Sequence, residues 1–255
     1  MDSAACRKFA ETHGGTPEFW RSLEARWPEF VSAYADLAAV PRARGALSAK
    51  TRELLLIAVN AAVTHLHEES MRHHIRNALR YGATADEIVE VLQLVSVLGI
   101  HAISIGFPAI QDAAVQTGHA EELPSAEMDE RQQDLKERFT QTRGYWNPFW
   151  EQALRLDPAL FEAYFTFSSV PWNRGELEPK VKEFVYVAID ASTTHMFDEG
   201  TRGHMANAFK HGATVEELLE TLELCVPIGI QSVMAGLPIL DEELEILGRE
   251  LGSRA

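Results

Sequence analysis

The chain repeats itself, and that limits its folds more than any other feature. Residues 41–110 and 171–240 align without a gap at a constant offset of 130 residues and agree at 26 of 70 positions. Unrelated chains of ordinary composition would agree at roughly 6% of positions. The match begins near Phe9 and Phe139 and takes in Phe19-Trp20 with Phe149-Trp150 and Tyr34 with Tyr164. The expected organisation is a first domain over 1–120, an acidic linker over 121–136 containing Pro124, and a second domain over 137–255.

The periodicity in each copy is helical. Phe19 to Ala38 carries apolar residues at helical spacing. Ser48 can cap the next helix, and Pro179 stands near the matching start, where proline is tolerated. Leu54 to Val63 is apolar nearly all round, which predicts a helix buried on most faces. A polar turn near His65–Glu68 leads into a helix that ends at Gly82, a good left-handed terminator. Thr84-x-x-Glu87 and Thr214-x-x-Glu217 both read as capping boxes. The apolar helix that follows should bend or end at Gly99 or at Gly106-x-Pro108 (Gly229 and Gly236-x-Pro238). Nothing alternates with period two, so the chain reads as all-α.

Charge and cysteine usage narrow the function classes. The net charge of −15 argues against nucleic acid or an anionic membrane as partner. Cys6 and Cys225 lie far apart, which fits a cytoplasmic protein and excludes a disulfide framework, a zinc–cysteine site or a Cys-x-x-Cys redox pair. Val91 to Gln111 lacks charge but contains Gln93, Ser96, His101, two glycines and Pro108, so a kinked core helix is expected rather than a membrane span.

Polar residues that match between the copies are the candidates for chemistry: Glu53/Glu183, His65/His195, Glu69/Glu199, Arg72/Arg202, His74/His204 and Asn77/Asn207. A histidine is suited to proton transfer near neutral pH, and a carboxylate beside it fixes its tautomer. An arginine two residues away can hold a carboxylate substrate. The same residues have plain structural uses, since Glu69 in a first helical turn is favoured by the helix dipole alone. The first copy is richer: His67, His73 and His101 stand where the second has Phe197, Gly203 and Gln231. A metal site from His65, His67, Glu69 and His74 is chemically possible, although the second copy loses His67.

The pattern resembles the carboxymuconolactone decarboxylase / alkylhydroperoxidase-D-like family. The carriers are Arg52-Glu53 opening an apolar helix, a histidine opening HIRNALRYGAT, the acidic start ADEIVEVLQ and a later Gly-Ile and proline. The second copy has Lys182-Glu183, HMANAFKHGAT, VEELLETLE and PIGI. The peroxidase branch places a Cys-x-x-Cys between its glutamate and histidine. Those positions fall in HLHEES and MFDEG, which contain no cysteine, so thiol peroxidase activity is not expected. Arg72-x-His74 and Arg202-x-His204 match the decarboxylase branch's Arg-x-His, while the Glu53-to-His74 spacing is two residues longer than usual for the family.

The resemblance implies two tandem all-α domains assembled as a homotrimer with pseudo-sixfold symmetry. It also implies a cofactor-free lyase, isomerase or hydrolase acting on a small, anionic carbonyl or lactone carboxylate. In that reading His74 is general acid/base, Glu69 and His65 orient it, Arg72 anchors the carboxylate, and Glu53 is a buried supporting acid, with His204, Glu199, Arg202 and His195 as the second copy's members. The alternatives are a non-catalytic binding or assembly protein of the same fold, or a metalloenzyme using the first copy's histidines.

Overall fold

The structure, a computed structural model, describes residues 3–125 and 127–252. The described residues form helices and no strand. The first copy contributes α1 (Ser3–His13), α2 (Pro17–Arg26), α3 (Pro28–Arg44), α4 (Ala49–Ala61), α5 (Glu68–Arg80), α6 (Ala85–Val95) and α7 (His101–Thr117). The second contributes α8 (Glu130–Arg143), α9 (Pro148–Leu156), α10 (Pro158–Arg174), α11 (Pro179–Ala191), α12 (Asp198–Lys210), α13 (Val215–Cys225) and α14 (Ile230–Gly252).

The helix ends follow local chemistry. The Ser48 hydroxyl accepts the N–H of Thr51, and both Thr84/Glu87 and Thr214/Glu217 close reciprocal capping boxes. Gly82 and Gly212 turn the chain left-handed after α5 and α12. The break in the apolar helix comes earlier than Gly106 and Pro108. Short 3-10 turns at Ser96–Ile100 and Val226–Gly229 interrupt it, and Pro108 and Pro238 lie inside α7 and α14. By length and composition the runs Ala85–Thr117 and Val215–Arg249 could each cross a bilayer, and each is split by its 3-10 turn. Residues 130–136, in the stretch expected as linker, are the first turns of α8, where Gln132 and Leu135 are buried.

The chain divides into two compact units that do not coincide with the two copies: Met1–Val95 with Leu177–Ala255, and Ser96–Glu176. In the first unit, Ile230, Met234 and Leu237 of α14 complete a core with Ala10, Trp20, Leu23 and Val31 of α1–α3. In the second, Ile103 and Phe107 of α7 pack against Leu135, Phe139, Trp150 and Phe161 of α8–α10. The first three helices of each copy are thus completed by the last helix of the other. Buried aromatic rings dominate the second core, whereas the first sets Trp20 among aliphatic side chains.

The first unit also joins the copies through reciprocal buried acids. Glu220 of α13 receives Arg52 at 2.9 Å and the backbone N–H groups of Ala46 and Leu47. Its counterpart Glu90 of α6 receives Lys182 at 2.7 Å and the N–H of Leu177. Lys182 and Glu90 are 3% and 4% exposed, so each charge depends on the other.

Candidate active site

The link between α4 and α5 is a tight turn with the same bonds in both copies. The N–H groups of His65 and Leu66 reach the Ala62 carbonyl, and the N–H of His67 reaches the Asn60 carbonyl. The second copy repeats this with His195, Met196, Ser192, Phe197 and Asp190. Leu66 and Met196 both sit at positive φ, 49° and 56°, a costly conformation for large side chains. The turn folds α5 back on α4 and α12 back on α11.

That packing brings two of the candidate residues together. Nδ1 of His74 lies 2.7 Å from Oε2 of Glu53, and Nδ1 of His204 lies 2.7 Å from Oε2 of Glu183. Both glutamates are buried. A carboxylate accepts the Nδ1–H, which leaves the Nε2 lone pair of His74 available. The carboxylate on His74 is therefore Glu53, not Glu69.

Glu69 and Arg72 are elsewhere. Both are exposed, and Arg72 pairs with Glu68 at 2.5 Å on the surface of α5. Glu199 and Arg202 are likewise exposed, with Arg202 on Asp198. The physical reason is helical phase: Glu69 and Arg72 lie on the side of α5 turned away from α4. The four groups considered for a metal do not converge. Nδ1 of His67 accepts the N–H of Ser70 as the cap of α5, Nδ1 of His74 is on Glu53, and Glu69 is exposed. His73 accepts from Asn77 at 3.1 Å, and burial with the neighbouring His74 lowers its pKa to about 4, so it is neutral.

His65 is half-buried and Nε2 bonds Oε1 of Gln231 at 2.5 Å. Gln231 comes from α14, in the second copy. Its amide nitrogen donates to Oδ1 of Asn60 at 2.7 Å and to Oγ of Ser70 at 2.9 Å. Asn60 in turn donates to the Leu56 carbonyl. This network fixes His65 as donor from Nε2 and leaves the Ser70 hydroxyl free to offer its proton.

His74, Asn60, Ser70 and Gln231 line one pocket of the first unit, together with Thr12, His13, Tyr34 and Arg42 and an apolar wall that includes Leu56, Val59, Ile228 and Met234. Its empty space, open mouth included, is about 640 Å³. Nδ1 of His13 donates to the Phe9 carbonyl at 3.1 Å, and burial lowers its pKa, so a neutral ring keeps an acceptor at Nε2. Burial raises the Tyr34 pKa to about 12, so its phenol stays a donor. Five of these residues carried no signal at the level of matched positions: His13, Arg42, Asn60, Ser70 and Gln231. Helical spacing would have suggested two of them. Ser70 lies four residues before His74, and Asn60 seven after Glu53, each on its partner's face.

A sequence model of the Carboxymuconolactone decarboxylase family matches the chain twice, at residues 28–116 and 158–242. The chain is also similar to a crystal structure from Burkholderia xenovorans LB400, described as a "putative gamma-carboxymuconolactone decarboxylase subunit". The two are 43% identical, with a TM-score of 0.90, over 96% of this chain and 98% of that one. Among curated proteins there is no match.

Proposed function

The chain belongs to the carboxymuconolactone decarboxylase family, and from its His74–Glu53 pair we infer a cofactor-free acid–base enzyme, a lyase of the decarboxylase type, acting on a small carbonyl or lactone carboxylate. The observation that carries this reading is the 2.7 Å bond that commits Nδ1 of His74 to a buried glutamate while the ring lines a pocket. A histidine held in this way presents one nitrogen for proton transfer in a fixed direction.

The chemistry follows from that nitrogen. Nε2 takes a proton from a carbon beside the substrate carbonyl, and the electron pair moves onto the carbonyl oxygen. If the bond that breaks is instead to a carboxylate, its electron pair moves onto the carbonyl oxygen, carbon dioxide leaves, the same enolate forms, and the enolate carbon takes a proton from solvent by way of Nε2. In either case negative charge gathers on oxygen, and the Ser70 hydroxyl is the nearby donor suited to meet it. Glu53 stabilises the imidazolium in between.

The relative's description as a subunit and the exposed apolar side chains of α14, among them Leu240, Leu244 and Leu247, support assembly as a homo-oligomer. We propose the trimer with pseudo-sixfold symmetry.

The test is turnover of a panel of small lactone and keto carboxylates by the whole protein and by His74→Ala and Glu53→Gln. A positioned acid–base group contributes about 10²–10⁴-fold, so His74→Ala should lose at least about 100-fold with its helical content unchanged. Full turnover by a folded His74→Ala protein removes the assignment.

A further inference from the structure

One cation in the pocket lacks the counterion that its neighbours have. Arg44, one half-turn further along α3, is clamped by Glu216 and Glu223. Arg52 is held by Glu220 and Lys182 by Glu90. Arg42 is half-buried and donates to the Thr12 carbonyl at 2.9 Å. Among the described residues no carboxylate pairs with it. A guanidinium has five N–H donors, so most remain for a ligand. A partly buried charge with no counterion is stabilised by an anion that supplies one.

We propose that Arg42 anchors the carboxylate that the substrate keeps, and that the ligand class this pocket holds tightly is a monocarboxylate on an apolar body. This rests on the acid–base reading only in sharing its pocket. At the Arg42 end, Tyr34 keeps its proton and can donate to the same carboxylate, while His13 is neutral and adds no second charge. Leu56, Val59 and Met234 add hydrocarbon to the lining. The other polar group, Asn60, Ser70 and Gln231, is uncharged, and behind His74 stands the Glu53 carboxylate. That group accepts a carbonyl or hydroxyl. A second carboxylate beside that group is desolvated with no further cation in the lining to meet it and a like charge close by, so a stable dicarboxylate binds more weakly, while one that can leave as carbon dioxide is relieved by the reaction.

The test is calorimetric titration of the whole protein with benzoate, benzamide and terephthalate, with the His13 and His74 ring signals followed by NMR. Benzoate should bind and shift the His13 signals. Terephthalate and benzamide should each bind at least about tenfold more weakly, as expected for an unmatched charge or a lost one. Arg42→Gln should lose about tenfold or more for benzoate, while Arg42→Lys, which keeps the charge, should recover part of it. Equal binding of benzamide, tighter binding of terephthalate, unchanged binding by a folded Arg42→Gln protein, or no benzoate binding at millimolar concentration would each overturn the proposal. His74→Gln separates the two readings: it should bind benzoate even if turnover is lost. Turnover without a dependence on Arg42 would sink the anchor and spare the acid–base pair.

Discussion

His74 and His204 are held alike: the same turn precedes them, and each places Nδ1 2.7 Å from a buried glutamate. The sequence positions that match the lining of the His74 pocket have diverged. Arg42 corresponds to Trp172, His13 to Arg143, Asn60 to Asp190, Ser70 to Gly200 and Gln231 to His101. Leu56 corresponds to Tyr186, whose ring lies 4.5 Å from that of His204. Arg143 donates to Ser168 and faces the Trp172 ring at 5.5 Å. Even the glycine follows its surroundings, because a Cβ at position 200 would collide with the Asp190 carboxylate and the Phe197 ring. Duplication kept the histidine–glutamate geometry in both copies, while the unpaired cation and the amide–hydroxyl network, which borrows Gln231 from the second copy, belong to the pocket of His74.

The comparison breaks most directly at the two histidines. His74→Ala should lower turnover by about 10²–10⁴-fold. His204→Ala should lower it by less than about tenfold, since the walls around it differ from those of the pocket. Equal losses in the two single variants would make both copies working sites, and the differences between their linings would then reflect two substrates or none.

The reciprocal acids give the next contrast. Removing one partner of a buried ion pair costs about 3–5 kcal/mol. Glu90→Ala strands Lys182, which is 3% exposed, whereas Glu220→Ala strands Arg52, which is 18% exposed and reaches water more readily. Both variants should unfold at lower urea than the parent, Glu90→Ala at the lower. A larger loss for Glu220→Ala would show that its bonds to the Ala46 and Leu47 N–H groups outweigh the ion pair.

Asp190 supplies a pH signature that Asn60 cannot. Burial, with a smaller contribution from Glu183, raises the Asp190 pKa to about 7 against an opposing pull from His204. Between pH 4 and 7 the unfolded chain ionises here while the native protein keeps its proton, so the native state loses stability as pH rises. The slope for one such group is about 1.4 kcal/mol per pH unit. Asp190→Asn should flatten that part of the stability curve and make the second copy resemble the first. Identical curves for parent and variant between pH 5 and 8 would remove Asp190 as a titrating group.

How much of this was legible without coordinates depended on the range of the interaction. The all-α reading and the repeat needed only periodicity and offset. The caps at Ser48, Thr84 and Thr214 were legible because their bonds close within three residues. The chain does not announce that α14 completes the core of α1–α3, and without that Gln231 has no route to His65. Arg42 was hidden for the same reason. Its meaning lies in the carboxylate it lacks, set against the ones Arg44 and Arg52 find on α13. Glu69 and Arg72 attracted notice because both copies have them, yet identity between copies also follows from a shared surface role. An acid in a first helical turn and an i,i+4 partner suit any exposed helix start.

That last point gives the smallest expected effect. Arg72 and Arg202 each pair with an acid four residues earlier, Glu68 and Asp198, on an exposed helix face. Such pairs exchange water for a partner in a high dielectric and gain little. Arg72→Ala should therefore leave turnover, benzoate affinity and melting temperature at the parent's values, and Arg202→Ala should match it. The arginines at 42 and 72 thus divide one expectation between them, since a carboxylate anchor must be near the histidine and short of a counterion, and only Arg42 is both. A loss of turnover in Arg72→Ala with helical content intact would return the anchor to the surface of α5 and require a substrate that binds there, outside the pocket that His74 lines.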